Sequence, residues 1–106
     1  MEDVVHRSFA SEMPIALMEK PLVAAGGLDW QSRETPGDGL YLRGLTPNGA
    51  KVRILDRGAR FAIEIHFPIG AGWTRFTEEQ KREFVAWLSS HVLAAVGATD
   101  VRDQPS

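Results

Sequence analysis

Cysteine is absent from the 106 residues. That excludes disulfide staples, thiolate zinc sites and cysteine nucleophiles, and leaves stability to the hydrophobic core alone. Long apolar runs are missing as well. No stretch approaches the roughly 20 residues that a membrane-spanning helix requires. The opening Met1-Glu2-Asp3-Val4-Val5-His6 lacks the basic-then-apolar order of a secretory signal, so a cytoplasmic location is the expectation. A strong charge of one sign is lacking too: 12 Lys and Arg face 14 Asp and Glu, for a net charge of −2. That balance disfavours a general nucleic-acid coat protein, which is usually strongly basic. Neither G-x-S-x-G, H-E-x-x-H, a P-loop nor a dinucleotide-binding glycine pattern occurs, which removes the best-marked catalytic and phosphate-cradling chemistries.

What is present is ordinary globular material. The composition, 43% hydrophobic and 25% charged, suits one domain with one core over residues 1–106. Period-two alternation marks the middle, 40–68. In Arg60-Phe61-Ala62-Ile63-Glu64-Ile65-His66-Phe67 a large apolar residue occupies every second place, the pattern of a half-buried strand. Lys51 to Leu55 alternates likewise, and Leu40 to Leu45 reads as a third strand. Asp56-Arg57-Gly58 and Thr46-Pro47-Asn48-Gly49 carry turn chemistry between them. An antiparallel meander of three or more strands follows.

Residues 77–97 predict a long amphipathic helix covering one face of that sheet, about 28 Å in length at 1.5 Å per residue. Thr77 with Gln80 forms a capping-box pattern, Glu78 and Glu79 suit the positive end of the dipole, and Gly97 supplies a stop. On a helical wheel Phe84, Leu88, Val92 and Ala95 fall together, with Val85 and Val96 at one margin and Trp87 and His91 at the other. The N-terminal third, 1–39, is less legible and partly helical. Ser11 to Lys20 reads as a short helix ended by Pro21, Leu22 to Ala25 as a helix or strand, and Val4 to Phe9 as an edge strand. Arg33 to Gly39 reads as a loop, and the residues from Arg102 onward as frayed. If the N-terminal segment does not pair, the strand at Leu40 to Leu45 is an open edge through which a homodimer forms. The expected class is therefore α+β.

Parity then assigns function-bearing side chains. With Phe61, Ile63, Ile65, Phe67, Val52, Ile54, Leu40 and Leu42 inward, the opposite face carries Tyr41, Arg43, Lys51, Arg53, Arg60, Glu64 and His66. A cationic face on an acidic chain is polarised and can steer an acidic partner. The expectation is a non-catalytic protein-interaction module of inhibitor, antitoxin, immunity or adaptor type. Its partner-binding residues are Tyr41, Arg43, Lys51, Arg53, Arg60 and His66, with no cofactor and no metal. Nucleic acid is the less favoured partner, because Tyr41 is a lone stacking ring on that face. The alternative is a small enzyme or small-molecule sensor with a cleft near Glu64 and His66, a carboxylate beside an imidazole being a plausible acid–base pair. The loop Gly70-Ala71-Gly72 reads as a flexible connection, and Trp30 and Trp73 as residues closing the core edge.

Overall fold

A computed structural model of the chain describes residues 2–37, 39–68 and 76–103. Its strands are β1 (Glu2–Ala10), β2 (Asp29–Thr35), β3 (Gly39–Leu45), β4 (Lys51–Asp56), β5 (Phe61–Pro68) and β6 (Thr99–Asp103), and its α-helices are α1 (Glu19–Ala25) and α2 (Glu78–Trp87). All strands join one sheet of order β2-β3-β4-β5-β1-β6, with every pair antiparallel. The class is α+β, a six-stranded antiparallel sheet with a C-terminal helix.

The hairpins form where the turn residues predict. Between β3 and β4, Thr46 N–H donates to the Ala50 carbonyl at 3.0 Å, and the Thr46 hydroxyl accepts from Ala50 N–H at 2.9 Å. Between β4 and β5, the Asp56 carboxylate accepts from Gly58 N–H at 2.8 Å, the side-chain turn that favours aspartate there. β1 is not an edge strand. It lies between β5 and β6, in register with β5 from Glu2 opposite Pro68 to Phe9 opposite Phe61.

Along β5, buried Phe61, Ile63, Ile65 and Phe67 alternate with half-buried Ala62, Glu64 and His66. Val52, Ile54, Leu42 and Phe9 join the buried set in one core with Ile15, Met18, Leu22, Leu88, Val92, Leu93 and Val96, while Leu40 and Phe84 pack at its margin. Leu55 breaks the parity: it is 1% exposed, yet it stands opposite Tyr41 and Ala62 on the other face.

Several sequence expectations are corrected. Residues 33–35, read as loop, belong to β2, so β3 is an interior strand and no edge for dimerisation. Pro21 does not end a helix; it sits in the first turn of α1, where a missing N–H leaves no intrahelical bond unmade. Thr99–Asp103, in which Arg102 was expected to fray, forms β6.

The C-terminal helix opens as its residues predict, with Thr77 Oγ1 accepting from Gln80 N–H at 3.1 Å and Gln80 Oε1 accepting from Thr77 N–H at 2.8 Å. It is not one uninterrupted α-helix, however. After Trp87 the chain widens into a π-turn over Leu88–Val92, closed by Leu93 N–H on the Leu88 carbonyl, and then tightens into a 3-10 turn over Leu93–Val96. Ser90 Oγ donates to the Ala86 carbonyl at 2.8 Å just before the closure, a competing bond that loosens helices. The wide turn accommodates one extra residue and rotates the apolar face. Leu93 and Val96 are therefore fully buried, where an unbroken wheel favours Ala95. Gly70, Ala71, Gly72, Trp73 and the last residues, 104–106, lie outside the described residues.

Candidate functional site

Directly opposed residues in an antiparallel sheet point to the same face, so the register maps the side away from the core. One row across five strands reads Gln31, Arg43, Arg53, Glu64 and His6. The next reads Asp29, Leu45, Lys51, His66 and Val4, and a third reads Arg33, Tyr41, Leu55, Ala62, Ser8 and Arg102. α1 contributes Leu22, and the turns after α2 contribute Leu88, Val92, Leu93 and Val96, to the core formed by the inward strand residues, while Phe84, Val85 and Trp87 of α2 pack partly buried against it. Among the described residues, this face therefore carries no covering element.

The polar side chains here lie across the strands as a network. Arg53 Nη1 meets Glu64 Oε1 at 3.1 Å, and the same oxygen receives His66 Nε2 at 3.3 Å. The Arg53 guanidinium also stands 4.8 Å from the centroid of the Tyr41 ring, within cation–π range. Gln31 Oε1 accepts from Arg33 at 3.1 Å and, at a longer 3.4 Å, from Arg43. Arg43 differs from its neighbour. Its cross-strand partner is Arg53, a like charge, and whereas Arg53 pairs with Glu64, neither Arg43 nor Lys51 forms an ion pair among the described residues. Glu64 thus sits among Arg43, Arg53, Lys51 and two histidines, and Asp29 is the other carboxylate of these rows, at the β2 edge.

The sequence-selected residues divide into two groups. Tyr41, Arg43, Lys51, Arg53 and His66 are contiguous. Arg60 shares their face but lies four residues along the chain from Glu64, about 13 Å at 3.3 Å per residue. It is engaged elsewhere: Nη1 holds Asp100 Oδ2 at 2.9 Å and Nε donates to Ser8 Oγ at 3.1 Å. Sequence reading missed Gln31 and Arg33, because β2 is an edge strand whose solvated side chains are polar at even and odd positions alike and only Trp30 is buried.

Glu64 and His66 line none of the cavities found among the described residues. One of about 590 Å³ lies instead beside Ser11, Met13 and Gly97. The three histidines do not converge, since His91 stacks on Trp87 at 5.8 Å in the helical layer. Among the described residues, no group of His, Asp and Glu is placed to hold a metal ion.

Asp100 carries a titration that can be followed. Hydrogen bonding from Arg102, and after it from Arg60 against opposing desolvation, holds its carboxyl below the ordinary 3.8. A depressed folded-state pKa contributes stability that is present above the unfolded value and is lost as pH falls through the folded one. NMR shifts of residues 99–103 should therefore hold steady down to about pH 4 and move together below it, and Asp100→Asn should remove that acid step. An unchanged step in the variant would assign it to another group.

In comparison with known proteins, no protein family's sequence profile matches the chain, and no curated protein is significantly similar to it.

Proposed function

We propose that this chain is a non-catalytic binding module that docks an acidic protein surface on the open face of its sheet, through Tyr41, Arg43, Lys51, Arg53 and His66, with Arg33 at the rim. The single observation that carries the reading is Arg43 set directly opposite Arg53 with no carboxylate of its own. Like charges in opposed positions destabilise a sheet by some tenths of a kcal/mol up to about 1 kcal/mol. A partner's carboxylate placed between the two guanidiniums turns that cost into a bidentate, charge-assisted contact. Nucleic acid fits less well: Tyr41 is the one aromatic ring in these rows and Arg53 already stands over it, whereas single-stranded ligands rely on several free stacking rings. A cytoplasmic inhibitor, antitoxin, immunity protein or adaptor works in this manner, and such a partner-bound state leaves room for a homodimer but does not need one. The enzyme alternative is the less favoured reading, because a reacting pair needs a cleft that excludes water and Glu64 and His66 line none of the cavities found among the described residues.

The test is a paired charge reversal. Arg43→Glu/Lys51→Glu removes no ion pair among the described residues and relieves the Arg43–Arg53 repulsion, so its melting temperature should not fall below the parent's. Its affinity for the protein captured from native extract should fall about 100-fold or more, since juxtaposed like charges cost several kcal/mol. Lys20→Glu/Arg82→Glu, on the helical layer, should bind as the parent does. Equal binding by both variants, or capture of a partner with no acidic surface, overturns the reading.

A further inference from the structure

The two sides of β1 are unequally covered. Towards β5 it is paired along its length, with Phe9 stacked on Phe61 at 5.3 Å. Towards β6 the pairing spans only Arg7 to Ala10, with a register shift between Ser8 and Ala10. Every residue of β6 is exposed, so this strand adds nothing to the core. Asp100 within it has φ 52°, a left-handed conformation that aspartate tolerates but does not prefer.

Charge holds β6 in place. Arg7 Nε meets Asp103 Oδ1 at 2.8 Å although the Asp103 side chain is 85% exposed. Arg60 grips Asp100 at its carboxylate, at 2.9 Å, and at its carbonyl oxygen. By parity Arg7 belongs to the helix side of the sheet and Arg60 to the open side, so the strand is clasped from both faces. Exposed ion pairs are weak and salt-screened. The opposite end of the sheet is closed differently, by the Glu19 carboxylate accepting from Ser32 N–H on β2 at 2.9 Å.

We infer that β6 is a placeholder, an exchangeable strand seated on a binding edge of β1, and that an extended acidic segment of another protein displaces it. The incoming backbone pairs with Arg7 to Ala10, and its carboxylates, spaced as Asp100 and Asp103 are, take Arg7 and Arg60. Strand addition of this kind draws affinity from main-chain hydrogen bonds and specificity from side-chain contacts. The inference stands apart from the open-face reading, since it uses a different edge and neither Arg43 nor Lys51.

The test uses the full chain and a synthetic peptide of sequence 98–106 as the probe. Amide shifts of residues 7–10 are followed by NMR up to about 2 mM peptide, a range suited to weak strand pairing. Asp100→Asn/Asp103→Asn, which loosens the internal strand, should bind the peptide about tenfold or more tighter than the parent. A peptide with both aspartates replaced by asparagine should bind neither protein, and Arg60→Gln or Arg7→Gln in the loosened background should weaken binding about tenfold. A second readout needs no variant. In the parent chain, β6 amides should exchange with solvent about 100-fold faster than β5-facing amides of β1, and faster still in 1 M salt. Equal protection of β6 and β1, or peptide binding indifferent to Arg7, Arg60 and the aspartates, overturns the inference.

Discussion

Phe67→Ala is expected to lower the unfolding free energy by about 3–5 kcal/mol, the usual loss for a buried phenylalanine truncated to alanine. Phe67 is fully buried at the end of β5. Its ring lies 5.0 Å from that of Phe76, tilted at 58°, and 5.9 Å from that of Phe84, edge-on at 79°. The Lys81 ammonium adds a further contact 5.9 Å from its centroid. One side chain therefore joins the last buried position of the meander to the entry and first turns of α2. Small domains hold only about 5–15 kcal/mol in total, so the variant should lose a large part of its stability. Urea melts read the outcome as a lower midpoint at unchanged slope. Phe67→Leu should lose less, because it leaves a smaller void. A loss below about 1 kcal/mol for the alanine variant would mean that the helix does not rest on this residue.

The second large effect is expected at Gly27. Its φ of +90° is one that side-chain-bearing residues rarely adopt, and a Cβ built there clashes with the edge of the Trp87 ring, at Cη2 and Cζ2. Gly27→Ala should cost about 2–4 kcal/mol, the left-handed penalty plus an overpacking term. Gly26 is the internal control. Its φ is +77° with ψ 177°, an extended positive-φ conformation nearly confined to glycine, but a Cβ there meets nothing within 4 Å, so Gly26→Ala should cost only the backbone part, about 1–3 kcal/mol. Combining Gly27→Ala with Trp87→Ala should recover the difference, and thermal melts of the four proteins complete the cycle. If the two glycine variants melt alike, Trp87 does not press on the chain between α1 and β2.

Trp87 illustrates how the sequence and the fold divide the information. Its place at the margin of the helix's apolar face follows from spacing. That its ring covers a glycine distant in the chain does not, because no local periodicity records which loop arrives above a helix. The same division separates the elements. β5 was legible because one face is buried and the other solvated, so its alternation is unambiguous from Phe61 to Phe67. β2 was illegible because an edge strand with one buried residue, Trp30, has no alternation to read. Pro21 misled for a related reason: its rule concerns helix interiors and the residue before it, and nothing local says that α1 starts two residues earlier. The π-turn at Leu88–Val92 has no sequence mark beyond Ser89 and Ser90, yet it decides that Leu93 and Val96 are buried.

The candidate face followed the same logic. Arg43 opposite Arg53 is a property of one hairpin, whose turn length and period-two pleat are both local, so their shared face could be read directly from the residues. Parity puts Arg60 on the same side as Arg43 and Arg53, but its engagement with Asp100 depends on a strand from the far end of the chain.

The residues alone determined the class, the strands of the meander and the side of the sheet to which each alternating side chain points, since burying one face of a pleated strand leaves its residues no choice of direction. Tertiary structure alone decided that the N-terminal strand enters between β5 and β6, which arginines are spent on internal partners and which edge of the sheet is lightly held. Those outcomes depend on contacts between segments far apart in the chain, and such contacts are selected by total core packing rather than by any neighbour in sequence.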